Sequence, residues 1–477
     1  MARMTRLPID QEAPFEASEL FVSRTDARGI IQSGNDVFCR VAGFSRDELL
    51  NQPHNLIRHP DMPKTIFKLF WQVIQSGEVI AAYVKNMAKD GGYYWVLATV
   101  FPTESGFLSI RLKPTSSLLK TVTSLYQDLL ATERSDGVEK GTECLGQQLR
   151  GLGFASYRDF MRHALMVELR EKDLLTHAST VSLDLNQIQN TTALMRRMSE
   201  LGDLLRALLD QFRTSSTAMD VFIQLKNACH KAQGSIATVF EGLECLSVNM
   251  SISANQLGKE GGTLSVVAAA FQGTATEILN SFGRFNKITQ MVGGEIDEIT
   301  LSVLCSRVQV EMLSFEIDHV LSRPEFKKAL DHGFSANEVN EIETLHKLTH
   351  ELTQKTLVRQ RQFHLRLLEL KKETELLHNL VIRLDLIRTG GKLEGSRKDN
   401  ITELFRPFIE DMVKFIQAVD QPINNVLAAT NDSLASFESV LSAAVLLDNT
   451  FQESKVVLMH AKKWVRNATL NVSAEGA

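Results

Sequence analysis

Long hydrophobic runs, paired cysteines and basic tracts are all missing from this sequence, and each absence removes a class of protein. Apolar tracts are short: Val440–Leu447 is eight residues long and contains Ser442, well below the roughly 20 residues a helix needs to cross a bilayer. No membrane span is expected. Residues 1–16 contain no apolar core of a signal peptide, so secretion is not indicated. The five cysteines, Cys39, Cys144, Cys229, Cys245 and Cys305, are odd in number and scattered. That pattern suits reduced thiols in a cytoplasmic protein, as small buried hydrophobes rather than a disulfide framework or a zinc site. A net charge of -5, with no Lys/Arg run interleaved with aromatics, argues against a nucleic-acid partner. Signatures of catalysis are lacking too. There is no G-x-x-x-x-G-K loop, dinucleotide fingerprint, kinase or cyclase signature, or H-E-x-x-H, so a non-enzymatic chain is expected.

What is present divides unevenly. A composition of 44% hydrophobic and 23% charged residues over 477 positions describes a globular chain of several domains. Seven of the ten prolines lie at or before Pro114, the next being Pro324, and all tyrosines and tryptophans except Trp464 fall in the first third. Proline disfavours long helices, so a mixed α/β domain ending near Pro114 and a largely helical remainder are expected.

Within the first domain, Leu20–Ser23 and Gly29–Gln32 read as short strands around the Asp26–Gly29 turn. Helical stretches follow at Asn35–Val41 and after Ser45, which forms a capping box with Glu48. Thr65–Gln75 carries Ile66, Leu69, Phe70 and Val73 at helical spacing and ends at Gly77. Val79–Met87, Tyr93–Phe101 and Phe107–Leu112 read as three antiparallel strands. The result is an α+β fold, an antiparallel sheet with helices over one face, enclosing a pocket.

The segment Asn51–Pro63 (NQPHNLIRHPDMP) stands out chemically. Three prolines keep it out of a long helix, and Arg58, His59 and Asp61 gather opposite charges over four positions. Such a segment presents side chains to something and reads as the wall of a cofactor pocket. The plainer alternative is that Arg58 and Asp61 pair at a helix entrance while Trp71 is core.

Asn35 with Phe38, Gly43–Leu49, Gln52–Asn55, Arg58–Pro63, Phe67, Trp71, Gly77, Val84–Asn86 and Tyr94–Val96 together resemble the PAS domain of bacterial aerotaxis receptors. The match spans about residues 20–114. In that family the domain holds FAD non-covalently and reports its redox state to the chemotaxis machinery. The resemblance implies that Asn35, Arg58, His59, Asp61, Phe67, Trp71 and Asn86 line a flavin site. A flavin needs an apolar slot, hydrogen-bond donors and cationic help, and these residue types supply all three. The chain departs from the family at Val79 and Ile80, where Pro and Trp are usual, and at Met87, where a basic residue is usual. A haem site at His54 or His59 has no support beyond the presence of histidine.

The helical remainder carries a seven-residue period. Phe222, Cys229, Ile236, Leu243, Met250 and Leu257 form one series, accompanied by Leu225, Ala232, Val239 and Leu246. Leu264, Phe271, Ile278, Phe285, Val292 and Ile299 form another beyond a glycine-bearing break at Gly258–Gly262. The pattern predicts an antiparallel helical hairpin with an a/d seam. Leu246–Ala268 is similar to the hairpin tip of methyl-accepting chemotaxis proteins, matching at Leu246, Asn249, Ile252, Ala254, Gly258, Gly261 and Val266–Ala268. The family's tip contacts neighbouring receptors, the chemotaxis histidine kinase and its coupling protein. Here Ser253, Gln256 and Lys259 replace the family's Glu, Arg and Glu, which removes charged pairs that specify partners.

Downstream, Leu393–Arg397 is either a second such tip or a capped loop between helices. Ser335 and Glu338 form another capping box. His346 and His350, four apart, suit a metal in principle, but a solvated helix face is the expected reading.

The expected organisation is an N-terminal extension (1–19), a PAS sensor (20–114), a helical linker (115–160), a chemoreceptor-like hairpin (161–323) and a further helical bundle (324–477). The function expected is that of a cytoplasmic, homodimeric redox or oxygen sensor holding FAD, with kinase, coupling protein or chemoreceptors as partners. The alternative is a non-enzymatic scaffold of chemoreceptor arrays whose PAS domain lacks a cofactor or serves dimerisation.

Overall fold

The computed structural model describes residues 7–176, 193–256, 262–322, 336–395 and 399–475. They form two compact units: residues 1–209, 301–353 and 448–477 make the first, and residues 210–300 and 354–447 the second.

The first unit is built on a five-stranded antiparallel sheet. Its strands are β1 (Leu20–Asp26), β2 (Ile31–Gly34), β3 (Ile80–Met87), β4 (Tyr93–Thr103) and β5 (Gly106–Leu112), ordered β2-β1-β5-β4-β3. The expected strands are all present; β1, β4 and β5 run a little longer than expected, β2 begins and ends two residues later, and β3 begins one residue later. Helices α1 (Asp36–Ala42), α2 (Arg46–Leu49) and α3 (Lys64–Gln75) follow β2 in chain order. Asn35 caps α1, and Gly43, at φ 72°, closes it in the left-handed conformation that glycine tolerates best. The Ser45–Glu48 capping box forms at α2. Helix α3 starts at Pro63 without a cap of its own; Glu133 caps it instead, accepting from Lys64 N at 3.0 Å and Thr65 N at 2.7 Å.

Glu133 lies on α4 (Leu118–Gly151), which breaks at Gly137 (φ 86°, ψ 175°) so that its second half turns onto α3. With α5 (Tyr157–Thr176), it also covers the sheet face opposite the cavity. Tyr126 donates to the Tyr83 carbonyl at 2.8 Å, and Tyr157 to that of Ala81 at 3.0 Å. Buried charges tie α5 to α7 (Gly262–Ser322): Lys172 and Arg307 both reach Glu311, at 2.7 and 3.0 Å, and Arg307 also reaches Asp173 at 2.6 Å.

The second unit consists of segments of four long helices, α6 (Ala193–Gln256), α7, α8 (Ala336–Gly395) and α9 (Asp399–Glu475). Contacts run in opposite senses along successive helices: Lys226 with Asp297, Phe240 with Phe282, Arg284 with Glu373, Phe363 with Phe437. They form an up-and-down bundle. Every member of the Leu264–Ile299 series is buried. On α6 the companion series slips. Leu225 and Ala232 are buried, but further along Phe240, Ser247 and Ala254 take the inward places of Val239, Leu246 and Ser253. A straight helix at 3.6 residues per turn drifts from a strict seven-residue repeat, moving the companion contact one position on.

The tip itself, Leu257–Gly261, lies outside the described residues, as do Ser335 and Ser396–Arg397. Contrary to the solvated face expected there, His346 is buried. It packs on Phe451 with its Nε2 3.2 Å from that residue's carbonyl, and burial drops its pKa to about 4.

Candidate functional site

Alternation along the strands turns one side chain in two toward α3. Phe107, Ser109 and Arg111 of β5, Ala98 and Val100 of β4, and Val84 and Asn86 of β3 face the same way, while Phe67, Phe70, Trp71 and Ile74 form one helical face opposite. Between them lies a cavity of about 200 Å³. The polar segment closes one side. His54–Ile57 is a single 3₁₀ turn, and Arg58 bridges Asn86 at the edge of β3, which brings both side chains to the cavity.

Four of the seven expected site residues line this space: Arg58, Phe67, Trp71 and Asn86. The Arg58 guanidinium lies 3.9 Å from the Phe67 ring centroid, and the Trp71 ring meets Phe107 edge-on at 5.7 Å. The other three are not in the lining. Asn35 is occupied by the backbone, accepting from Phe38 N and Val22 N and donating to the Leu20 carbonyl and Glu316. His59 is buried and accepts at Nδ1 from the Asp61 amide at 3.1 Å, a bond that keeps that nitrogen unprotonated. Burial, and then Lys85, lower the His59 pKa. The Asp61 carboxylate pairs with Lys85 at 2.7 Å.

Residues outside that expectation complete the site. Arg111, only 3% exposed, donates from Nη2 to Ser23 Oγ at 2.8 Å and lies 2.6 Å from His54 Nε2. Arginine only donates, so His54 accepts there and carries its proton on Nδ1. Burial and then the Arg111 charge push the His54 pKa down to about 3. Three buried polar atoms of the lining have no protein partner: Asn86 Nδ2, Ser109 Oγ and Arg111 Nη1. Among the described residues no Asp or Glu lines the cavity, whereas Arg58, Arg111 and Arg28, the last paired with Asp26, do. Buried donors left without acceptors are costly. A ligand bearing carbonyl or anionic oxygens on a flat apolar body fits them, and the flavin ring system is such a group.

Comparison with known proteins agrees with this architecture. Residues 32–108 match the PAS fold family. The chain is 38% identical over 136 residues to the aerotaxis receptor of Escherichia coli, covering 28% of this chain and 27% of the receptor. It is 34% identical over 87 residues to a nitrogen fixation regulatory protein of Klebsiella pneumoniae, covering 18% of each, and 28% identical over 82 residues to the biofilm dispersion protein BdlA of Pseudomonas aeruginosa, covering 17% of this chain and 20% of BdlA. The chain thus spans about a quarter or less of the length of these relatives. No helix among the described residues is long and apolar enough to cross a membrane. The cavity therefore lies in a PAS-fold domain similar to that of the aerotaxis receptor, and the chain beyond it is mostly helical.

Proposed function

We propose that this PAS domain holds FAD non-covalently and that the chain is a non-enzymatic redox or oxygen sensor. The observation that carries the reading is the set of three unpartnered buried polar atoms, on Asn86, Ser109 and Arg111, facing an apolar slot walled by Phe67, Trp71 and Phe107. Bound flavin would supply reversible electron transfer. The protein's own part is to sandwich the ring, offer amide, hydroxyl and guanidinium hydrogen bonds, and keep bulk water out. The volume suits a ring system; pockets that swallow a whole drug-sized ligand run to roughly 300–1,000 Å³.

The output is proposed to pass from β5 through α4 and α5 into the long helices, in a cytoplasmic homodimer. Chemotaxis partners are supported by the exposed apolar side chains of Val248, Ile252 and Val266 beside residues 257–261. The same side chains favour the second reading, a scaffold that modulates chemoreceptor arrays without a cofactor.

The visible spectrum of the purified protein separates the two. Flavin bands that co-elute with folded protein and are released as FAD on denaturation support the sensor. A colourless, folded protein that takes up no added FAD leaves the scaffold, and a Soret band would replace flavin with haem.

A further inference from the structure

We infer that Arg111 is the charge-selecting group of the cavity: it holds an anionic oxygen or nitrogen of the occupant, so a bound flavin is held in its anionic reduced form. The inference rests on the flavin reading and goes past it, from which ring is bound to which charge state is favoured.

The argument starts from an unbalanced charge. Arg111 sits next to the last residue of β5, paired across the ladder with Phe21 and Ala98, and is almost wholly removed from solvent. Buried arginines normally have carboxylate partners, because an uncompensated interior charge costs several kcal/mol. Every neighbour of this one is neutral or positive. Ser23 from β1 and the neutral His54 from the 3₁₀ turn share Nη2, the Phe38 ring of α1 lies 5.3 Å away, and Tyr94 of β4 is the remaining titratable neighbour. Arg58, on the same cavity, adds positive charge, whereas Arg28 is exposed and paired with Asp26 at 3.2 Å. Burial lowers the Arg111 pKa to about 10, so it remains charged at neutral pH.

His54 cannot take the role of counter-ion, being held as an acceptor. The Arg111 Nη1 has no hydrogen-bond partner in the protein, and the residue lines the cavity. An occupant that gains negative charge on reduction satisfies it better in the reduced state than in the oxidised one. The balance is simple: two electrons from an external low-potential donor and one proton from water yield the anionic reduced flavin, and a second proton yields the neutral form. Arg111 opposes that second proton.

The test is the pH dependence of the midpoint potential of the full chain, reconstituted with FAD and titrated with dithionite. Uptake of one proton per two electrons gives a slope of about 30 mV per pH unit and uptake of two gives about 59 mV, by the constant for a two-electron couple. We expect the change of slope to fall at least one pH unit lower for the protein than for free FAD in the same buffer. In R111Q it should move back up by at least one unit, and in R111K it should stay near that of the parent chain. Circular dichroism checks that each variant is folded. A slope change at the same pH as free FAD overturns the inference while leaving flavin binding intact, and it needs no variant. A break that R111Q leaves in place also overturns it. Failure of the unsubstituted chain to bind any flavin overturns the sensor reading, and this inference with it.

Discussion

The Tyr83 hydroxyl donates to Glu168 Oε1 at 2.7 Å, linking the sheet to α5 through a carboxylate that is fully buried and forms no ion pair among the described residues. Four hydrogen bonds stand in for a counter-ion: Ser116 Oγ also reaches Oε1, and the amides of Thr115 and Ser116 reach Oε2 at 2.7 and 3.0 Å. The same carboxylate therefore holds the joint between β5 and α4, which is the route proposed for the output. Replacing Tyr83 with Phe removes one charge-assisted bond and should cost about 1.5–3 kcal/mol. Glu168→Gln can keep its oxygen on the Thr115 and Ser116 amides and donate its NH2 to the two hydroxyls, so it removes the charge assistance and should cost about as much. Urea unfolding followed by tryptophan fluorescence measures both. If each variant stays within about 0.5 kcal/mol of the parent, the ordinary scatter of neutral surface changes, the clasp does not stabilise the joint.

His54 makes the domain acid-sensitive. Its pKa lies at about 3 in the folded chain against an ordinary 6.5, so the unfolded chain binds a proton first as pH falls. The contribution is complete above pH 6.5 and is lost between there and about 3, with a limiting slope of about 1.4 kcal/mol per pH unit. Thermal unfolding from pH 7 to 5 should therefore show a falling midpoint that His54→Asn flattens. Parallel curves for the two proteins would mean that the ring titrates normally.

The strands, the first three helices and four of the seven expected cavity residues are visible in the sequence because local patterns dictate them: alternation in Val84–Asn86, the capping box at Ser45, and the Phe67–Trp71 spacing. Arg111 is harder to find. Its signal is present, in the alternation of Phe107, Ser109 and Arg111 against Leu108, Ile110 and Leu112, but a lone arginine in a strand ordinarily points to water. The pairing with His54, 57 residues away, turns it inward. Asn35, His59 and Asp61 show the converse. Their residue types suit a cofactor, yet a helix cap, loop hydrogen bonds and more distant partners, Glu316 for Asn35 and Lys85 for Asp61, occupy them. His346 is buried by Phe451, 105 residues distant, which no local pattern reports.

A second acid-sensitive group lies between α5 and α7. Burial alone would raise the Glu311 pKa, but Lys172 and Arg307 outweigh it and hold the carboxyl at about 2. A carboxylate with a lowered pKa adds stability that is complete above its unfolded value near 4.5 and is lost as pH falls toward 2. Glu311→Gln should flatten the stability profile in that window. Arg307→Met removes the Arg307–Asp173 ion pair and the Arg307–Glu311 pair together, and should cost about 3–5 kcal/mol at neutral pH. Chemical denaturation at pH 7 and at pH 3 tests both statements, and an Arg307→Met protein as stable as its parent at pH 7 would contradict the second.

Gly29 and Trp71 make a paired prediction about the cavity wall. Gly29 has φ 81°, and a Cβ built on it would lie 3.1 Å from the Trp71 ring. The backbone there favours glycine, and the contact leaves a methyl group no room unless the indole moves. Trp71→Ala removes one face of the slot and should raise the dissociation constant for FAD at least tenfold, about 1.4 kcal/mol. Gly29→Ala should weaken binding in the same direction by pushing the indole, with a folding penalty of about 1 kcal/mol or more from the left-handed backbone. In Trp71→Ala the cavity is enlarged, so adding Gly29→Ala to it should weaken FAD binding little further. Fluorescence titration of FAD against the two single variants and the double variant measures the coupling. If the two effects instead add in full, Gly29 acts on binding by some route other than the Trp71 ring.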